Sequence, residues 1–464
     1  MIIKGRDPKS PAIITEKGIL SYKEFIEAVL SISNSLKELG IREGKKVAIL
    51  SENRPEYVMS IIAIIAIGAI AVPINIRWPE KRIKEALEKI GCNIAVRSRN
   101  INLDISIKTV FFDQLLGKKS GSLSFDLRKD ATIIFTSGST GDPKPVLHKL
   151  ENHYYSALGS NENISFEKGD IWGIFLPLYH VGGMSIIFRA LLSGAAVAIT
   201  EKKIPILDAI RDFRITHISV VPTQLYRMLK EKDSVDILRR LKAILIGGSP
   251  IRETIIRKAK EAELPIYTTY GSTEMASQVT TTKPNDTLEH LLTSGRVLPY
   301  RELKIEDGEI LVKGKTLFKG YLYRNGLIKP FSKDGWFRTG DIGHLTEDGY
   351  LVVKGRKDNM FISGGENIQP EEIEDKLLQI EGIIDAVVVP VEDEEWGKRP
   401  VAFVHWEGKE EMDEKRIKKM LEKELPKYKI PDRIFPIPEN YKGMKLSREY
   451  FKGLAKRIME GDKR

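Results

Sequence analysis

Apolar residues recur at two different intervals along this chain, and the change of interval divides it. From about residue 20 to residue 280, short all-apolar runs alternate with stretches whose apolar positions return every three or four residues. The runs at 46–50, 172–178, 195–200, 217–221, 243–246 and 266–270 predict strands buried on both faces, and helices fall between most of them. Residues 22–39 carry the helical period, and Ser21 followed by Glu24 three places on has the pattern of a capping box. The apolar stretch 58–74 contains Ser60, Gly68 and Pro73 and falls short of the roughly 20 residues that span a bilayer. It predicts a buried helix passing into a strand at 69–74. Repeated βα alternation implies an α/β fold of layered sheets with helices packed outside.

After about residue 300 the texture changes and the period shortens to two. Asp307-Gly308 and Asp348-Gly349 stand between alternating apolar runs, which is hairpin chemistry, so 285–355 is expected to be β-rich. Residues 354–358 (Lys-Gly-Arg-Lys-Asp) form a short charged connector. After it come a helical pattern at 370–380, strands at 386–391 and 400–405, a helix at 411–425 and a strand at 432–437. That is a small α+β unit of about one hundred residues, a reasonable domain. The expected division is 1–355 and 359–464.

Composition narrows the classes. At 464 residues the chain exceeds one ordinary core. The formal charge of +10 either steers polyanions such as nucleotides toward a cleft or reflects a lysine-rich solvated surface. No zinc-finger spacing, RNP-type aromatic pattern or concentrated basic block points to nucleic acid. Cys92 is the only cysteine, which rules out an internal disulfide and suits a reducing, cytoplasmic setting. The start, MIIKGRDPKS, has no apolar leader region. The seven histidines show no metal-ligand spacing.

Chemistry concentrates first at Thr136-Ser-Gly-Ser-Thr-Gly-Asp-Pro-Lys-Pro145. The apolar run 131–136 empties into hydroxyls, two glycines and a lysine, a way to wrap backbone N–H groups and a cation around phosphate. The Walker pattern is absent, since no Gly-Lys-Ser/Thr follows at the required spacing. Six further motifs follow in order: LPLYHVGG (176–183), GGSP (247–250), YGSTE (270–274), WFRTGD (336–341), GRKDNMFISGGENI (355–368) and GMKLSR (443–448). Together the seven resemble the adenylate-forming ligases, the superfamily of acyl-CoA synthetases, peptide-synthetase adenylation domains and firefly luciferase, over nearly the whole length. Within it, the segments LPLYHVGGMSIIFRALLSGA, THISVVPTQLYRML, DNMFISGGENIQPEEIE and VPVEDEEWGKRPVAF look most like the o-succinylbenzoate–CoA ligase branch of menaquinone biosynthesis. Pro145 departs from the usual glycine, and the ending GMKLSR from the commoner Ser-Gly-Lys.

The resemblance implies an adenylate-forming fold in which a small domain turns about Asp358. ATP, Mg²⁺ and CoA would be the cosubstrates and cofactors, and a carboxylic acid, 2-succinylbenzoate, the substrate; an oligomer is possible. Thr136, Ser137, Gly138, Ser139, Thr140, Gly141 and Lys144 would hold phosphates. Gly248, Ser249 and Pro250 would face adenine, Tyr270 would stack on it, and Gly271 and Ser272 would complete that motif. Thr273 would contact the α-phosphate and Glu274 bind Mg²⁺. Asp341 and Arg356 would hold the ribose. Lys445, with Lys442 a neighbouring rival, would serve adenylation, and Gly364 and Gly365 would line the pantetheine path. His180, Gly183 and Ser185 would border the acyl group, with a core histidine the alternative for His180. Arg189 would face a second carboxylate or pair with a buried acid. A CoA ligase for another aryl or fatty acid fits the same motifs, and so does an adenylate-binding protein that has lost catalysis.

Overall fold

The computed structural model describes residues 6–115, 117–136, 143–201, 204–407, 412–439, 441 and 446–461. Among them, two large mixed sheets carry the long amino-terminal part. One has nine strands, and its central run Ile266–Ser272, Ala243–Gly247, His217–Val220, Ile171–Gly173, Ala196–Ala198 and Pro11–Thr15 is parallel throughout. Antiparallel strands close both margins, Ser277–Thr281 and Arg296–Val297 on one side and Gly18–Ser21 on the other. The eight-stranded sheet is built round Asp130–Phe135, Ile70–Pro73, Lys46–Leu50 and Ile94–Arg97, again parallel at its centre. Strands buried on both faces read as continuous apolar runs, which is why these elements were visible in the chain.

Local signals act as expected at several places. The Ser21 side chain accepts from the Glu24 N–H, and the Glu24 carboxylate accepts from the Ser21 N–H, closing the capping box of helix Tyr22–Glu38. The 58–74 stretch is helix Pro55–Ala66 followed by strand Ile70–Pro73, both buried. No helix among the described residues is long and apolar enough to cross a membrane. Asp307 and Gly308 both have positive φ (53° and 75°) and join strands Arg301–Glu306 and Glu309–Gly314.

Elsewhere tertiary context shortened or redirected an element. The 172–178 run leaves the sheet after Gly173, because the Asn53 amide takes the Leu176 carbonyl (2.9 Å) and the Leu178 N–H (2.9 Å). The 195–200 run pairs only over Ala196–Ala198. The 411–425 helix is Glu414–Leu421, capped by the Asp413 carboxylate on the N–H groups of Lys415 and Arg416. The β-rich region is not one sheet. Arg301–Glu306, Glu309–Gly314, Phe337–Leu345 and Leu351–Arg356 form an antiparallel sheet of their own, but Gly320–Tyr323 and Gly326–Ile328 cross back onto the eight-stranded sheet beside Pro145–Lys149.

After Arg356 a 3₁₀ turn, Lys357–Asn359, leads into an α+β unit. Its long hairpin Ile383–Asp393 and Gly397–Trp406, with parallel strand Arg433–Pro436, is covered by helices Pro370–Leu377, Glu414–Leu421 and Arg448–Gly461. The apolar clusters of this unit draw only on residues 361–458, and those of the larger part only on residues before 354. Polar contacts bridge the two. Arg252 Nη1 donates to the Ile383 carbonyl (2.7 Å), and Lys230 and Tyr226 both meet the Glu407 carboxylate.

Candidate active site

Strands Ala243–Gly247 and Ile266–Ser272 lie side by side and parallel, and the motifs 247–250 and 270–274 leave from their carboxy-terminal ends. Parallel α/β sheets open their ligand crevices at that edge. Gly248 (φ 89°), Ser249 and Pro250 are exposed there. Gly271 is fixed by packing: a Cβ at this position would sit 2.1 Å from the Ser277 carbonyl of the neighbouring strand, where the register slips. Ser272 is half-buried and leads into the short turn Thr273–Met275.

The phosphate loop is clamped at its base. The Thr136 N–H donates to the Lys144 carbonyl (3.1 Å), and the Lys144 N–H donates to Thr136 Oγ1 (3.3 Å). Ser137, Gly138, Ser139, Thr140 and Gly141 lie outside the described residues. The Lys144 ammonium stands 5.5 Å above the ring of Tyr321, whose hydroxyl donates to Glu274 Oε1 (2.9 Å). Burial pushes the Glu274 carboxyl upward, and the Lys144 charge works against that shift. Among the described residues no group of three or more His, Cys, Asp or Glu side chains is placed to hold a metal ion, so Glu274 does not belong to an all-protein metal cage. A single buried carboxylate beside a phosphate loop fits Mg²⁺, which keeps several waters and takes most other ligands from phosphates.

A second array adjoins this one. Asp341 accepts from the Tyr270 hydroxyl at Oδ2 (2.5 Å) and from Arg356 Nη1 at Oδ1 (2.7 Å). Arg356 Nη2 reaches on to Asp358 Oδ2 (3.2 Å). Burial raises the Asp341 carboxyl, opposed by the guanidinium. Four residues singled out in the sequence, from motifs up to 88 positions apart, thus share one hydrogen-bonded chain. Lys442 and Lys445 lie outside the described residues. Arg448, three residues on, is bound to the small unit through Glu374 (2.5 Å) and Glu371 (3.2 Å). Gly364 and Gly365 form the turn between Phe361–Ser363 and Glu366–Ile368 (φ 55° and 87°), with Trp396 packed against Gly364.

The residues assigned to the acyl group divide in two. His180 is half-buried at the start of helix Val181–Ser193, beside Tyr179, and its carbonyl accepts the N–H groups of Gly183 and Met184. Gly183 packs its Cα onto the Pro177 carbonyl, where a Cβ would fall at 2.3 Å. Ser185 is buried; its hydroxyl donates to the Gly182 carbonyl (3.1 Å) and accepts from Ser277 (3.3 Å). Arg189 has no acidic partner among its described contacts. It is 1 % exposed, donates from Nη2 to Gln278 Oε1 (2.6 Å), lies 4.8 Å over the Trp172 ring, and leaves Nε and Nη1 unpaired. Burial pulls its pKa down to about 9. A cavity of about 500 Å³ opens at the opposite, amino-terminal edge of these strands, lined by Glu162, Glu167, Lys242 and Tyr267 among others, away from every motif.

Sequence reasoning missed Tyr321, which only strand pairing brings to Glu274. It also missed Thr132, His148 and His153, because beyond metal-ligand spacing only His180, which stands in one of the motifs, carried a local signal.

Fold and motif order together define the class of enzyme. The chain belongs to the AMP-binding enzyme family, whose model matches residues 4–322, while that of the AMP-binding enzyme C-terminal domain matches residues 372–442. It is similar to 2-succinylbenzoate–CoA ligase of Listeria monocytogenes serotype 4b (strain F2365), 34% identical over 447 residues and 92% of each chain. The enzyme of that name from Geobacillus kaustophilus (strain HTA426) is 34% identical over 463 residues, 95% of this chain and 94% of the relative. Among solved structures, o-succinylbenzoate CoA synthetase from Bacillus subtilis in complex with the acyl-adenylate intermediate OSB-AMP superposes with a TM-score of 0.85 at 30% identity, covering 96% of both chains. The same protein in complex with ATP and magnesium ion gives 0.86 at 30% identity, covering 95% of this chain and 96% of that one.

Proposed function

We propose that this chain is an ATP-dependent acid–thiol ligase that converts 2-succinylbenzoate and CoA to 2-succinylbenzoyl-CoA through an acyl-adenylate, releasing AMP and pyrophosphate, as menaquinone biosynthesis requires. The observation that carries it is that the strand end Tyr270–Glu274 gathers both arrays, Lys144 and Tyr321 at Glu274 and Asp341 with Arg356 at Tyr270, in a chain aligned over 92% of its length with a ligase of that name. A carboxylate is a poor electrophile because oxide leaves badly; joining it to AMP supplies a good leaving group. The Lys144 ammonium neutralises phosphate charge, and its paired contacts with Thr136 fix the base from which it projects. Glu274 would hold Mg²⁺, which supplies charge neutralisation between phosphate oxygens. Asp341 accepts ribose hydroxyls, and the Arg356 guanidinium opposes the rise that burial imposes on its carboxyl.

Arg189 carries the specificity for a second carboxylate. A buried cation with two nitrogens unpaired is expensive unless an anion completes it. The small domain, residues 359–464, turns about Asp358. One pose brings Lys445 to the reacting carboxylate and α-phosphate; the other brings Gly364 and Gly365 to the pantetheine arm. ATP–pyrophosphate exchange with a panel of acids tests the reading. Exchange and thioester formation are expected to be faster with 2-succinylbenzoate than with benzoate or a fatty acid, and absence of exchange with every acid would remove it.

A further inference from the structure

Behind the Thr273–Glu274 turn lies a run of buried polar groups with no assigned part in the chemistry. His148 (0 % exposed) and His153 (1 %) lie with Thr132 (0 %) between strand Asp130–Phe135, strand Pro145–Lys149 and helix Leu150–Asn163. Thr132 Oγ1 is 2.8 Å from His153 Nε2 and 3.3 Å from His148 Nδ1, and His148 Nε2 is 2.7 Å from the Thr273 carbonyl oxygen.

The proton positions follow from bookkeeping. A carbonyl only accepts, so His148 Nε2 carries the proton. Burial keeps this ring neutral, with its pKa held down to about 4, so Nδ1 bears a lone pair. That lone pair takes the one Thr132 hydroxyl proton. Thr132 Oγ1 must then accept from His153 Nε2–H, which leaves His153 Nδ1 as a bare acceptor, and that atom indeed has no partner. The direction is therefore His153 → Thr132 → His148 → Thr273 O. His153 is fixed in turn by flat stacking on Phe188 (4.5 Å, 6°).

We propose that His148 is a positioning residue for adenylation: through this one-way relay it sets the peptide plane of Thr273–Glu274, and so the direction from which Glu274 meets the metal and phosphates. Two more ties hold the same turn. The Phe318 N–H donates to the Glu274 carbonyl (2.8 Å), and Tyr321 holds the Glu274 carboxylate. The relay is the tie that comes from the two strands flanking the phosphate loop, so it locks loop and turn to one another. Outer partners of this kind typically change metal affinity or activity by roughly 10–100-fold when removed.

The inference rests on the adenylation reading, and the test separates the two. Pyrophosphate exchange and its dependence on Mg²⁺ concentration are measured for wild type, His148→Leu, His148→Gln and Thr132→Val. Thioester formation from supplied acyl-adenylate is measured alongside, and thermal melting checks the fold. Gln retains an N–H near the Nε2 position; Val keeps the shape of Thr132 but removes both links. The expected result is a roughly 10–100-fold rise in the Mg²⁺ needed for half-maximal exchange in His148→Leu and Thr132→Val, with substantial recovery in His148→Gln and an unchanged KM for CoA. If His148→Leu does not fold, Thr132→Val decides alone. Folded variants whose exchange and Mg²⁺ dependence stay within about twofold of wild type overturn the relay, as does a Gln variant no better than Leu. A wild type without exchange overturns the adenylation reading itself.

Discussion

At the scale of single residues, the informative groups are those whose polar atoms the protein leaves incompletely paired. Arg189 is the sharpest case. Its Nε and Nη1 have no partner, and its charge faces Gln278 rather than a carboxylate. Arg189→Met keeps an apolar stem and removes a poorly compensated buried cation, so the melting temperature is expected to hold or rise. The same change is expected to raise KM for 2-succinylbenzoate by tenfold or more, on the order of 1.4 kcal/mol, and to leave KM for benzoate unaltered. Steady-state kinetics with both acids checks the split. Tyr321→Phe removes the hydroxyl that orients Glu274 Oε1. It is expected to slow pyrophosphate exchange roughly tenfold with no change in KM for the acid.

Elements matter where backbones come too close for a side chain. Strands Ile266–Ser272 and Ser277–Thr281 slip register at Tyr270/Gly271, and the Ser277 carbonyl then lies where a Gly271 Cβ would be. Backbone cannot give way as a side-chain tip can. Gly271→Ala is expected to destabilise by about 1–3 kcal/mol and to disturb the turn that carries Glu274, read as a lower denaturant midpoint together with weakened exchange. The shortened strand Ile171–Gly173 makes a complementary point. Its residues 174–178 are apolar enough for a sheet, but the Asn53 amide offers their backbone better partners and turns the chain toward His180.

For the whole molecule, acid reveals how much of the larger part depends on neutral buried imidazoles. His148 and His217 are both held down to about 4 by burial, below their ordinary value near 6.5. The unfolded chain therefore binds more protons between those values. Stability contributed by each ring is full above about pH 6.5 and is lost as pH falls toward about 4, by up to about 1.4 kcal/mol per pH unit for each. Glu374, Asp375 and Asp385, raised by burial to about 7, 6 and 6, act in the opposite direction, so the check is a difference: between pH 7.5 and 4.5 the melting temperature of a His217→Gln variant is expected to lose less, or gain more, than that of wild type. The proposed turning of the small domain makes a second prediction at this scale. Lys445→Ala is expected to suppress acyl-adenylate formation far more than thioester formation from supplied acyl-adenylate, measured as separate half-reactions. Equal losses in both steps would count against that role.

The order of strands and helices, the capping box at Ser21, the Asp307-Gly308 turn and the ordered motifs were all legible along the chain, because each depends on neighbours within a few residues. The motif residues Glu274, Asp341 and Arg356 were legible for the same reason, as local patterns. Their mutual geometry was not. Tyr321 reaches Glu274 only because strand Gly320–Tyr323 leaves its own region to pair with Pro145–Lys149. His148 meets the Thr273 carbonyl across 125 residues, and no spacing rule marks such a pair. Local sequence determined what each segment would be and which chemistry it carried; packing between distant segments decided which polar atoms were left facing one another, since desolvation and hydrogen-bond geometry act between neighbours in space, not along the chain.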